Sequence, residues 1–209
     1  MYQDDNDGIL MPAEYKGRVL IGGMFFPVDW PWPPSGISNK SQALVYIKHR
    51  LELSPLWPYA SSHDVYNCPG DGRTKLEWDR GWTFDSYAKA GGLNNTGNPG
   101  WPEGNRLHIN KFSQIINPND KYVFVEEGTK YAGGHGGANF GPWALNPETK
   151  QWIDPVAVWH NGASTFSFAD GHAESHRWLE RSTKKASGEQ TQFMWSGQGT
   201  TETLSLIHI

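Results

Sequence analysis

The stretch Trp159-His160-Asn161-Gly162-Ala163-Ser164-Thr165-Phe166-Ser167-Phe168-Ala169-Asp170-Gly171-His172 decides the fold of this chain. It contains a histidine-bearing loop, a strand with alternating apolar residues, and an Asp-Gly pair before a second short strand. An Asp-Gly pair between two strands is typical of a β-hairpin with a two-residue type I′ loop. The pattern therefore predicts that Ala169 pairs with His172 and that Phe168 pairs with Ala173.

The two faces of this predicted hairpin differ in chemistry, because side chains alternate across a strand. Phe166 and Phe168 mark the face expected to pack on the core. The opposite face is polar and carries imidazoles; its members are Thr165, Ser167, His172, Glu174 and His176. If the protein performs chemistry, we expect that polar face to border the site.

Composition narrows the class of protein. The chain has 209 residues, enough for one domain with a real core, and we expect a globular domain over residues 1–180 followed by a polar tail over 181–209. The formal charge of −4 and the lack of a basic run argue against a nucleic-acid partner.

Cys68 is the single cysteine, which excludes an intramolecular disulfide. The last residues resemble translated vector or adapter sequence and are left out of the fold prediction.

Two further elements are predicted from periodicity. Residues 41–53 are expected to form a helix that Ser41 can cap, with Leu44, Ile47 and Leu51 on one face. Residues 121–127 are expected to form a strand with Val123 and Val125 on one face. No apolar run is long enough for a signal peptide or a membrane helix.

Three groups of residues are candidates for binding or catalysis. Asp5, Asp7 and Glu14 fit positions of a calcium-binding EF-hand loop, although Gln3 and Pro12 depart from that pattern; the alternative is a polar turn. The chain has 11 tryptophans, which either pack in the core or stack on flat ligand faces such as sugars. The candidate stacking surface comprises Trp30, Trp32, Trp101 and Trp143.

The carboxylates at the end of the second strand, Glu126 and Glu127, adjoin a glycine-rich loop. Together with Asp170 and His172 they are candidate catalytic residues for a glycosidase with paired carboxylates. The alternative is that a strand-end carboxylate binds backbone amides or an arginine such as Arg177. The sequence leaves open whether the protein is an enzyme, and it indicates no cofactor other than the calcium ion considered above.

His160 and Asp170 are not expected to share a site. An extended strand over residues 163–169 spans roughly 20–25 Å. This separation favours two structural roles, in which Asp170 accepts hydrogen bonds from turn amides and His160 bonds to a neighbouring strand or loop.

The same stretch resembles a known family. His160, nine residues and then Asp170-Gly171 resemble the H-X9-DG motif of bacterial pseudopilin-like proteins, the type II secretion protein G-like group of planctomycetes and their relatives. Other pieces are similar in order: Asp7-Gly8-Ile-Leu-Met-Pro12, Asn67-Cys68-Pro69-Gly-Asp71, Asp85-Ser-Tyr87 and Val123-Phe-Val-Glu-Glu127.

The resemblance implies an α+β, pilin-like fold with a helix packed on a small antiparallel β-sheet, here with long loops rich in Trp, Gly and Pro. It implies a structural subunit of a type II secretion or type IV pilus-like assembly, with other pilin-like subunits or copies of itself as partners. The expected location is the periplasm or the cell surface, with a full-length form anchored in the inner membrane and Met1 as an internal start. The competing hypothesis is a carbohydrate-active protein on this scaffold, with a polysaccharide as partner.

Overall fold

The computed structural model describes residues 2–12, 14–15, 18–19, 35–94, 109–128, 143, 145–146, 151–152 and 154–189. Its central element is a four-stranded antiparallel sheet made of β3 (Tyr87–Lys89), β4 (Tyr122–Glu126), β7 (Ala163–Phe168) and β8 (Ala173–Arg177), in the order β3-β4-β7-β8. Two short ribbons pair β1 (Glu14–Tyr15) with β2 (Arg18–Val19) and β5 (Leu145–Asn146) with β6 (Gln151–Trp152). The helices are α1 (Lys40–Leu51) and α2 (Arg181–Glu189). The predicted mixed α+β class is confirmed.

The predicted hairpin is present as β7 and β8, but its predicted register is wrong by one residue. Ser167 pairs with Ala173 and Phe166 pairs with Glu174. The loop is closed by a hydrogen bond from the Phe168 amide to the His172 carbonyl, 2.9 Å long. Gly171 has φ 96°, while Asp170 is not among the residues with positive φ. This is a three-residue loop with a glycine bulge and not a type I′ turn, which needs positive φ twice.

The one-residue slip moves the side chains of β8 to the other face of the sheet. His176 therefore lies on the aromatic face, where its ring centroid is 4.7 Å from that of Trp178 and 6.5 Å from that of Phe166. The prediction that His172, Glu174 and His176 share a polar face with Thr165 and Ser167 is wrong for this reason, because in the observed register they lie on the face of Phe166 and Phe168.

The helix α1 begins one residue before the predicted start, and its cap differs. The Asn39 side chain, not Ser41, accepts a 3.0 Å hydrogen bond from the Gln42 amide. Ile47 and Leu51 are fully buried as predicted, whereas Leu44 is only partly buried.

The sheet separates two hydrophobic cores. On one face, Tyr87 and Phe124 pack against α1 and its buried neighbours, which are Met11, Ala43, Ile47, Leu51, Tyr66 and Trp82. On the other face, Ala88, Val125 and Phe166 form a cross-strand row and pack with Trp143, Val156 and Trp178. A register shift between Tyr122 and Phe124 lets Tyr122 join this second core.

Residues 181–189 of the predicted polar tail form α2. Thr183 and Ser187 are buried four residues apart, so this helix packs through small polar side chains. A side-chain carbon built on Gly162 would lie 3.3 Å from Lys184, which places α2 against the loop that carries His160. Within the described ranges, none of the helices combines the length and apolar character that crossing a membrane requires.

Candidate functional site

Three stretches that are far apart in the sequence meet at the end of β4. The His160 Nε2 atom lies 2.8 Å from Glu126 Oε1 and 3.3 Å from Cys68 Sγ. The other carboxylate oxygen of Glu126 accepts a 2.7 Å hydrogen bond from the Thr165 amide of β7. Cys68 and Glu126 are 3% and 1% exposed, while the His160 side chain is 39% exposed. The predicted bond between His160 and a neighbouring strand is confirmed.

The backbone around Cys68 is shaped to bring its sulfur to His160. The Cys68 amide donates a 2.8 Å hydrogen bond to Ser86 Oγ, and the Gly70 amide donates a 3.3 Å bond to Cys68 Sγ. A side-chain carbon on Gly70 would lie 3.2 Å from the His160 ring, closer than ordinary contact. Glycine at this position therefore permits the close approach.

A buried ion pair between Asp71 and Arg73 lies next to the Cys68 loop. Arg73 and Asp71 are 1% and 2% exposed and are joined by contacts as short as 2.8 Å. Arg73 also donates to the Asp85 carbonyl at 2.9 Å, and Ser86 Oγ donates to Asp71 at 2.9 Å. Burial alone would lower the pKa of Arg73, but the carboxylates of Asp71, Asp85 and Glu127 outweigh it and the pKa is raised.

This cluster does not have the geometry of a cysteine nucleophile. Burial, with a smaller contribution from the Glu126 charge, raises the pKa of the Cys68 thiol, whereas a nucleophilic thiol needs its pKa lowered. Cys68 and Glu126 also contact the same ring nitrogen of His160. In a catalytic triad the acid orients one nitrogen while the other receives the proton. The Cys68, Glu126 and His160 side chains can connect the Cys68 loop, β4 and the loop before β7 by hydrogen bonds, or they can bind an ion.

The predicted carboxylate pair is not assembled. Glu126 is held beside Thr165, whereas Asp170 lies in the turn beyond the far end of β7, and three extended residues already span about 10 Å. Asp170 Oδ1 accepts hydrogen bonds from the His172 amide at 3.1 Å and from its ring at 2.6 Å, as predicted for a turn carboxylate. These bonds, the backbone one first, lower the pKa of Asp170. Glu127 is fully buried.

The candidate tryptophan surface is only partly described. Trp143 is 2% exposed and its ring packs edge-on against Tyr122, so it offers no open face for a sugar. Trp30, Trp32 and Trp101 lie outside the described residues.

The residues of the calcium-like pattern lie in three local structures. Asp5 Oδ2 accepts a 2.8 Å hydrogen bond from the Tyr59 hydroxyl, and Asp7 is a left-handed residue after a short 3₁₀ helix. Glu14 begins β1. In the part of the chain that the structure describes, the one group of three or more His, Cys, Asp or Glu side chains positioned to hold a metal is Cys68, Glu126 and His160, which the sequence did not predict.

A cavity of about 270 Å³ lies on the α1 face of the sheet, beside β3 and β4. Its walls are mainly apolar and include Leu10, Met11, Phe112 and Phe124. Lys89 also lines it and is 3% exposed. The Lys89 amine donates hydrogen bonds to the carbonyls of Met11, at 3.2 Å, and Leu93. Burial lowers the pKa of Lys89 to about 7.

Comparisons with known proteins return no match to this chain among protein-family models, curated proteins or solved structures.

Proposed function

We propose that this protein is a non-enzymatic, pseudopilin-like subunit of a type II secretion or type IV pilus-like assembly, located in the periplasm or at the cell surface. The observation that carries the proposal is the place where the motif residues meet. The histidine of the H-X9-DG pattern contacts the cysteine of the Cys-Pro element and the first glutamate of the Val-Glu-Glu strand. The serine of the Ser-Tyr strand bonds to the Cys68 amide.

This convergence supports an architectural role for the motif. Residues that resemble a family signature form one polar network between the strands, and its buried polar groups need partners within the fold. The network ties the Cys68 loop, β4 and the start of β7 together. Asp170 closes the other end of β7 through its bonds to His172. Each part of the motif therefore holds the hairpin in place.

A filament-incorporation experiment tests the proposal. A prepilin-type leader and helix is fused upstream of residue 2, and the fusion is produced in cells that carry a type II secretion system. We expect the fusion to appear in sheared surface filaments together with the resident pseudopilin. The matched control is the same helix fused to an unrelated globular domain of similar size, which should not be incorporated. A processed, folded fusion that stays out of the filaments contradicts the proposal.

The carbohydrate-active hypothesis differs in what it requires. It needs exposed tryptophans and a pair of facing carboxylates, and its motive is the count of 11 tryptophans. Titration with oligosaccharides, followed by tryptophan fluorescence, and a panel of glycosidase and esterase substrates distinguish the two hypotheses. Saturable quenching together with hydrolysis favours the enzyme; neither signal is expected for the structural subunit.

A further inference from the structure

His160 makes two close contacts through the same ring nitrogen, whereas one hydrogen bond would be enough to connect its loop to β4. Sulfur and carboxylate oxygen both approach one atom, Nε2, at 3.3 and 2.8 Å. A ring nitrogen carries at most one proton, so two acceptors at this atom would have to share it in a bifurcated hydrogen bond. Cys68 Sγ, Glu126 Oε1 and His160 Nε2 all lie within 4.8 Å of one another. These three atoms are therefore close enough to one another to act as ligands of a single metal ion.

The donor set suits a particular class of ion. Thiolate, imidazole and carboxylate are the ligands of tetrahedral zinc sites, whereas calcium and magnesium prefer oxygen alone. A divalent ion bound to one thiolate, one carboxylate and a neutral imidazole would leave the cluster without net charge. Charge balance matters here because Cys68 and Glu126 are buried. The nearby cation Arg73 is paired with Asp71, so its charge is balanced by that carboxylate.

The distances are close to those of a metal site. With zinc bond lengths of about 2.3 Å to sulfur and 2.0–2.1 Å to nitrogen and oxygen, tetrahedral geometry places nitrogen and oxygen about 3.3–3.4 Å apart and nitrogen and sulfur about 3.5–3.6 Å apart. The Nε2 to Sγ distance of 3.3 Å must open by about 0.2–0.3 Å, and the Nε2 to Oε1 distance of 2.8 Å by about 0.5–0.6 Å. The His160 side chain is 39% exposed, which leaves room for that small movement and a path for the ion.

The surroundings also hold the ligands in position. The Thr165 amide fixes the second oxygen of Glu126, and Ser86 fixes the Cys68 backbone. Hydrogen bonds to the ligands of this kind tune metal affinity. We propose that Cys68, Glu126 and His160 form a binding site for a divalent transition metal of the zinc class, with three protein ligands and one position open on the exposed side of His160.

Cobalt(II) is the probe, because a thiolate bound to it gives a charge-transfer band in the near ultraviolet. Cys68 is the only cysteine of the chain, so any such band reports on this site. The whole chain is stripped with a chelator and titrated with Co²⁺, and then Zn²⁺ is added. We expect a saturable band at one ion per chain that Zn²⁺ removes. Zn²⁺, but not Mg²⁺, should also raise the unfolding temperature of the wild-type protein, since an ion that binds only the folded state stabilises it.

Variants assign the ligands. Cys68→Ser should lose the band, and His160→Gln should weaken Co²⁺ binding at least about tenfold, since even changes around a metal ligand cost that much. His172→Gln is the matched control, because His172 is an exposed histidine in the hairpin turn, and it should bind as the wild type does. Each variant is checked for folding by circular dichroism.

Two results overturn the proposal. One is a folded wild-type protein that shows no charge-transfer band with excess Co²⁺. The other is a folded His160→Gln variant with unchanged affinity. If the His160→Gln variant does not fold, the wild-type titration alone decides. Filament incorporation is a separate readout, so this site and the proposed function can fail independently.

Discussion

The buried amine of Lys89 predicts an unusual dependence of stability on pH. Lys89 lies on the α1 face of the sheet, opposite Phe124, with its Nζ atom against two backbone carbonyls. A neutral amine still has two hydrogens, so it can satisfy both carbonyls without carrying a charge. Burial accordingly lowers the pKa of Lys89 from 10.5 to about 7.

The sign and size of the effect follow from proton binding. Between pH 7 and pH 10.5 the unfolded chain holds a proton on this lysine that the folded chain has lost, so raising the pH stabilises the folded state. With a folded pKa of about 7 and an unfolded pKa of 10.5, the free energy of unfolding should rise by about 2.5 kcal/mol between pH 7.5 and pH 9.5. Below about pH 6 the contribution becomes constant, because both states are then protonated.

Urea unfolding at pH 7.5, 8.5 and 9.5 measures this change in the wild type and in Lys89→Met. The difference between the two proteins isolates Lys89, because other groups contribute to both; these include Tyr66 and Tyr87, whose pKa values burial raises to about 12. Lys75→Met, at an exposed lysine, is the matched control and should keep the wild-type pH dependence. A difference between wild type and Lys89→Met that stays flat from pH 7.5 to 9.5 refutes the reasoning.

Three further substitutions, with Gly72→Ala as a control for one of them, test a buried ion pair, a close backbone contact and a turn conformation by chemical denaturation. Arg73→Met should destabilise the fold by about 3–5 kcal/mol, because it leaves the buried carboxylate of Asp71 without its partner; a loss below 1 kcal/mol contradicts this. Gly128→Ala should destabilise by about 1–3 kcal/mol, since the added carbon would lie 2.9 Å from a backbone carbonyl oxygen. Gly171→Ala, at φ 96°, should cost about 1 kcal/mol or more, whereas Gly72→Ala, where the added carbon meets nothing within 4 Å, should cost less.

The sequence predicts the hairpin but not its register, for a physical reason. An Asp-Gly pair suits a two-residue type I′ loop, and it equally suits a three-residue loop in which glycine alone has positive φ. The two loops differ by one residue in pairing, and local preferences hardly separate them. The two loops place different side chains of β8 on the core side: in the observed register His176 packs edge-on against Phe166 and Trp178. Those contacts are not visible in the local pattern.

The polar network shows a second limit of sequence reasoning. Cys68 and His160 are 92 positions apart, so no spacing rule could bring them together, and their meeting depends on strand order. The Asp71–Arg73 pair is different, because its members are two positions apart at the start of a short 3₁₀ helix. An Asp cap followed by Arg was a readable local signal. The helix α2 was missed because, among the α2 side chains that the structure describes, the buried ones are Thr183 and Ser187, which give no apolar period.

The nine-residue spacing between His160 and Asp170 now has a structural explanation. Strand β7 occupies six of those residues, with His160 fastened at one end and Asp170 closing the turn at the other. The spacing is thus set by the length of a strand and not by the distance between two catalytic groups. It also fixes which side chains face the core, because a shift of one residue would exchange Phe166 for Ser167 on the buried face. That register is held at both ends of β7. His160 is hydrogen-bonded to Glu126 of β4 at one end, and the turn is closed at the other.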